Sequence, residues 1–387
     1  MPHLLQQMPT EMYRSVGKAS GDPAGTLPSL RQLHGGLSLW SDRKTVKGER
    51  RRTMAIHGWS KQTNTKKIDF SRFLCSTPAR DYIFQDTPYE NQIREAAELL
   101  SRADAVLIGG GAGLSTAAGL SYGGQRFQEN FGEFIEKYGA SYMTDMYSAG
   151  FYPFPTEEEK WGYWSKHAYL NRIEPEALPL YQQIFELVKE KPHFVLTTNV
   201  DYQFWKAGFS DERIFATQGD YGEIQCARGC HDKVYDAKEL FGKMGEARKD
   251  CKIPSELVPK CPVCGGNMAM HLRSDQYFVE DAHWNEAAGR YEEFLEAHQT
   301  DRVVLLELGV GFNTPVIIRL PFEKMIREHE NWSMIRMNLD EAVVPASFGE
   351  RAVGINADLA DAVRDLSGCV KEIEDGVTAP GNEVDKK

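Results

Sequence analysis

The chain has 387 residues, 41% hydrophobic and 26% charged, with a formal net charge of −11. This balance fits a globular protein with one large α/β domain and a smaller module, and it disfavours a general basic surface for nucleic acid. No apolar run approaches the roughly 18 residues of a membrane helix, and the N-terminus has no secretory core.

In chain order, residues 1–75 come first. They combine the Gly-, Pro- and Ser-rich "GKASGDPAGTLPSLRQLHGG" with the basic "SDRKTVKGERRR", and no helical or strand period persists. An unstructured extension is expected there. A mitochondrial targeting segment is the less favoured reading, and a start at Met54 is an alternative; the cytoplasm is the expected location.

From "NQIREAAELLSRA" onward, amphipathic helices alternate with short apolar strands: "DAVLIGG", "HFVLTTN", "RVVLLELG" and "SMIRMNL". That alternation predicts βαβ units and a parallel sheet over about 85–370. It is interrupted at about 120–172 and 222–282, which are expected to form the small domain. Residues 371–387 read as a second tail.

The first strand runs into "LIGGGAGLSTAAG", where Gly111 and Gly113 with Ser115 are expected to cradle phosphates at a helix start. The spacing is not G-x-G-x-x-G, and a Gly-rich turn without ligand is the competing reading. Thr198, Asn199 and Asp201 sit at the end of "HFVLTTN", as ligand contacts or as caps of the next helix. A second glycine turn, "LELGVGFNTP", carries Gly309, Gly311 and Asn313. Asn338 ends a further strand, where it either meets an adenine or ribose or serves only in a turn.

Nine aromatic residues fall between 141 and 172, either as the core of the small domain or as a wall for a long apolar acceptor group. The seven cysteines include Cys226 and Cys230 in C-x₃-C, and Cys261 and Cys264 in C-x₂-C. Four thiolates leave no open position, so a structural zinc is expected. Cys75, Cys251 and Cys369 read as ordinary thiols.

The order GAG-x-S, T-x-N-x-D, four cysteines, G-x-G and an N-x-D/E strand end resembles the sirtuin family. The resemblance implies an α/β fold with a Rossmann-like parallel sheet that binds NAD, and a small zinc-ribbon plus helical domain. It further implies that Ala112, Tyr122, Arg126, Val310 and Leu339 line the NAD site. Deacylating sirtuins carry His-Gly ahead of the zinc cysteines, whereas Gln218 precedes Gly219 here. An amide cannot take a proton at neutral pH as imidazole does.

Together with "YGGQRF", "MTDMYSAGFYPF" and "KWGYWSK", that departure resembles the macrodomain-linked class M sirtuins. This resemblance implies a protein ADP-ribosyltransferase with Asn199, Gln218 and Asp201 as catalytic residues. The implied acceptor is a lipoylated carrier similar to the glycine-cleavage H protein. A macrodomain ADP-ribosyl hydrolase and a lipoate ligase are the implied functional partners, in an oxidative stress response. Asp201 or Asp220 could activate the acceptor. NAD glycohydrolase, weak deacylase and a non-enzymatic NAD or ADP-ribose sensor are the competing functions.

Overall fold

The computed structural model of the chain describes residues 81–312 and 315–376. The expected extension over 1–75, Asn313 and residues 377–387 of the expected tail lie outside the described residues. The last helix runs from Leu359 to Glu374, past the expected boundary at 370.

The strands of the two larger sheets are β1 (Ala105–Gly110), β2 (His193–Thr197), β3 (Ile214–Ala216), β4 (Gly219–Cys226), β5 (Val234–Asp236), β6 (Met268–Leu272), β7 (Val303–Leu308), β8 (Ser333–Asn338) and β9 (Ala352–Asn356). Six of them form one parallel sheet in the order β9-β8-β7-β1-β2-β3. Counted along the chain, this is the doubly wound 3-2-1-4-5-6 order of dinucleotide folds. β1 and β7 are buried along their whole length, which explains why they read as apolar runs and not as alternating patterns.

Helix Tyr89–Ser101 lays Ile93, Ala96, Ala97 and Leu100 on one face of the sheet, and helix Leu359–Glu374 adds Leu359, Val363 and Leu366. Both follow the 3.6-residue period of a core-facing stripe. On helix Ala282–Ala297, Trp284 packs edge-on against Phe215 with ring centroids 4.9 Å apart. Asp281 caps that helix by accepting the Trp284 N–H at 2.9 Å.

The two interruptions pack into one module. The first consists of helices Gly124–Tyr138, Met146–Gly150 and Glu157–Ala168, followed by a π-turn over Tyr169–Ile173. The second is an antiparallel sheet in the order β5-β4-β6 with helix Lys238–Ala247. Trp161 and Trp164 from the first share a core with Tyr221, Phe241 and Met270 from the second. Among the nine aromatics, Trp161, Tyr163 and Trp164 are buried in the module, while Tyr142, Tyr147, Phe151 and Tyr169 are exposed. No helix among the described residues is long and apolar enough to cross a membrane.

Candidate functional site

The strand order places β1 beside β7, where the doubly wound order reverses. A crevice opens at such a switch point, beyond the carboxyl ends of the strands. The two glycine turns meet there, backbone to backbone. A Cβ at Gly111 would stand 2.7 Å from Gly309 O, and one at Gly309 would collide with Leu114 N. Gly309 also holds φ at 62°, where a side chain is strained.

The Gly111 N–H donates to Leu308 O at 3.0 Å and the Gly113 N–H to Gly309 O at 2.9 Å. Both amides therefore face the neighbouring turn, where the sequence suggested phosphate. Ala112 opens the helix Ala112–Ala117.

Ser115 does not point outward from that helix. Its hydroxyl donates to Asp201 Oδ2 and lies 3.0 Å from the Tyr181 hydroxyl. Asp201 Oδ1 accepts the Gln203 N–H at 3.0 Å, an Asx-type turn that leads into the short helix Gln203–Lys206. Burial pushes the Asp201 carboxyl up, against the two donors that lower it.

Asn199 completes the network. Its Nδ2 donates to Gly111 O at 3.0 Å and to the Tyr181 hydroxyl at 3.1 Å, and its own N–H donates to Thr197 Oγ1 at 3.0 Å. Both amide protons are engaged, which leaves Oδ1 as the end without a donor among the described residues. The Thr198 N–H donates to Gly110 O at 3.0 Å and ties β2 to the glycine turn. Tyr181 belongs to the amphipathic helix Pro179–Val188 and carried no sequence signal beyond core periodicity.

Gln218 lies where the chain passes from β3 of the parallel sheet to β4 of the small module. It is half-buried, its Nε2 donates to Thr217 Oγ1 at 3.2 Å, and its backbone carbonyl accepts the Arg273 backbone N–H at 3.0 Å. Gly219 follows with φ at 96°, and a Cβ there would collide with His271 O. Asp220 is held by Arg172 in two hydrogen bonds of 2.8 and 3.3 Å. Burial raises its carboxyl while Arg172 lowers it. Neither Asp201 nor Asp220 is an unengaged carboxylate.

At the other half of the crevice, Asn338 Nδ2 donates to Val310 O at 3.0 Å. Gly311 is half-buried and Leu339 exposed. Tyr122 packs its ring 5.5 Å from His167. The Arg126 guanidinium donates to Ser121 O at 2.9 Å, Asn171 Oδ1 at 2.8 Å and Leu170 O at 3.0 Å. It thus clamps the turn after the first glycine loop to the π-turn.

The Sγ atoms of Cys226, Cys230, Cys261 and Cys264 lie within 4.8 Å of one another. Two backbone turns shape the cluster: the Gly229 N–H donates to Cys226 O and the Gly265 N–H to Cys261 O, each at 2.8 Å. The Gly266 N–H, aided by Arg228, lowers the Cys264 thiol to about 6, which favours a thiolate. A tetrahedral ion fits this donor set. His231 lies 3.1 Å from Cys230 Sγ through Nδ1 and 2.8 Å from the Tyr235 hydroxyl through Nε2.

No family model matches the sequence. The chain is similar to a protein ADP-ribosyltransferase of Staphylococcus aureus, 37% identical over 262 residues, covering 67% of this chain and 82% of that protein. It is also similar to a probable bifunctional ADP-ribose hydrolase/ADP-ribosyltransferase of Fusarium oxysporum, 34% identical over 275 residues. That match covers 67% of this chain and 45% of the longer relative.

Among solved structures, it is similar to a Sir2 homologue in complex with NAD, with a TM-score of 0.48 at 13% identity, covering 76% of this chain and 99% of that one. Another is Sir2Tm bound to a propionylated peptide, with a TM-score of 0.47 at 17% identity, covering 74% of this chain and 99% of that one.

Proposed function

The chain belongs to the family of the protein ADP-ribosyltransferases, and from that premise we propose that it transfers ADP-ribose from NAD, at a sirtuin-like site, to a side chain of an acceptor protein. Nicotinamide leaves with the bonding pair as its bond to the ribose breaks, and the acceptor side chain bonds the carbon it vacates and gives up its proton to water. The ribose becomes oxocarbenium-like on the way, so positioning and electrostatics can carry most of the barrier.

The observation that carries this reading is Gln218, an amide at the junction of the parallel sheet and the small module. Sirtuin deacylation needs a base on the ribose, and Gln218 can only hydrogen-bond a hydroxyl there. Asn199 is held by Gly111 and Tyr181 so that its carboxamide oxygen faces away from both; it would orient the ribose or the incoming acceptor. Asp201 would act through Ser115, as the buried anchor of this network.

The turns at Gly111–Ser115 and Gly309–Gly311, with Asn338 and Leu339, would hold the ADP-ribose half. The four cysteines would hold a structural zinc and so fix β4 behind Gln218. The acceptor we favour is a lipoylated H-like carrier, with a macrodomain hydrolase to reverse the modification.

The test is incubation with NAD labelled in its adenylate half, with the carrier supplied in lipoylated and unlipoylated form. Label on the lipoylated carrier, lost at least tenfold in Gln218→Ala, supports the reading. Free ADP-ribose alone would make the protein a glycohydrolase, and intact bound NAD would make it a sensor. Transfer unchanged in Gln218→Ala would remove that residue's role.

A further inference from the structure

Arg319 is fully buried at the start of helix Arg319–Glu328, yet its guanidinium serves two loops of the crevice. Nη1 donates to Val310 O at 3.0 Å. Nη2 donates to Glu341 O at 2.9 Å and Val343 O at 3.3 Å. One side chain therefore ties the turn after β7 to the loop after β8. Its nearest carboxylate, Glu307, is 3.7 Å away and already held by Arg336 at 2.7 and 2.9 Å.

Burial, with Arg336 as a second cation beside it, pushes the Arg319 guanidinium down to about 10. Nε has no partner among the described residues. An apolar side chain would fill this place at a lower desolvation cost. The arginine is better explained by what it holds.

Val310 O is the shared acceptor: it also receives Asn338 Nδ2 at 3.0 Å. Two buried donors fix this carbonyl toward the interior. The Val310–Gly311 peptide is trans, so the Gly311 N–H points the opposite way, away from the two donors. That N–H has no acceptor among the described residues, and a Cβ at Gly311 would meet nothing but the Glu341 side chain. Phe312, exposed, lies over the Arg319 guanidinium at 4.1 Å and covers it.

We propose that Arg319 is a positioning residue for the nucleotide: by fixing the Val310 carbonyl it aims the Gly311 N–H at an oxygen of the ADP-ribose half of NAD. It does not touch the ligand itself. The proposal rests on the NAD reading above and adds the residue that presets the second glycine turn.

The test uses the full chain with Arg319→Lys, which keeps the charge but cannot span both loops. The Kd for ADP-ribose and the KM for NAD are expected to rise together by about tenfold, the scale of one mis-aimed donor. The kcat at saturating NAD should stay within about twofold, because the reacting end is untouched. Asn338→Ala combined with Arg319→Lys should lose less than the product of the single losses, since both hold one carbonyl.

An unchanged Kd, a fall in kcat alone, or fully independent losses would overturn the proposal. So would Arg319→Lys and Arg319→Gln both remaining unfolded in saturating ADP-ribose, which would make the arginine purely structural. If the wild-type protein does not bind ADP-ribose, the NAD reading itself fails. If it binds and Arg319→Lys binds equally, only this inference fails.

Discussion

The side-chain amide of Asn199 donates to the hydroxyl of Tyr181 at 3.1 Å, and the same hydroxyl lies 3.0 Å from Ser115 Oγ. A tyrosine from a core helix thereby sets the orientation of the residue proposed to meet the ribose. Tyr181→Phe keeps the ring and removes this partner. It should cost about 1–2 kcal/mol of stability, the usual cost of a buried hydrogen bond lost from one side. Transfer should slow by roughly tenfold while the KM for NAD changes little, because orientation and not affinity is lost. Steady-state kinetics with parallel urea unfolding separates the two effects.

Gly309 tests the meeting of the glycine turns. Gly309→Ala forces a side chain into φ of 62° and against Leu114 N. Destabilisation of at least about 2 kcal/mol is expected from strain plus overlap. ADP-ribose should no longer raise the melting temperature, which differential scanning fluorimetry reads directly.

His167 predicts a pH dependence of stability. It is fully buried among Tyr122, Trp164 and Tyr221, and neither ring nitrogen has a partner among the described residues. Burial pushes its pKa down to about 3, so the folded state holds it neutral while the unfolded chain protonates it near 6.5. Stability from this group is therefore fully present above the unfolded pKa and is lost as the pH falls below it. Between pH 6.5 and 5 the loss should be about 1.6 kcal/mol. Urea midpoints of the wild type and His167→Leu, compared at the two pH values, should differ by that amount; equal pH slopes would show that another group dominates.

The four-cysteine cluster predicts about one bound zinc per chain by atomic emission. Cys261 is buried, and Cys261→Ser should lose the metal and lower the melting temperature by roughly 10 °C. Activity should fall with it, since β4 carries both Cys226 and the residues that follow Gln218. Full zinc content and an unchanged melting temperature in Cys261→Ser would exclude a four-thiolate site.

Much of this arrangement was legible in the sequence because its signals are local. Continuous apolar strands, two glycine turns and cysteine pairs at ligand spacing each depend on neighbours in the chain, and together they anticipated the parallel sheet and the four-sulfur cluster. The partners of the site residues were not legible. Tyr181 is 66 residues from Ser115, and Arg172 is 48 from Asp220; nothing local distinguishes either from a core tyrosine or a surface arginine.

For the same reason the sequence could place Gly111 and Gly113 beside a phosphate without showing that their own N–H groups donate to the facing turn. Arg126 read as a cofactor contact, and its bonds to Asn171 and Leu170 on the π-turn carried no signal in the sequence. A residue's type and spacing suggest what it can do, while the second strand-end turn, nearly 200 residues away, decides where its hydrogen bonds go.

The most direct measurement is the balance of products formed from NAD and a lipoylated H-like carrier by the full chain. The account predicts that nicotinamide released, measured by chromatography, equals ADP-ribose added to the carrier, measured by intact mass, mole for mole. Nicotinamide released with the carrier's mass unchanged, or an acyl group removed from the carrier in its place, would contradict it.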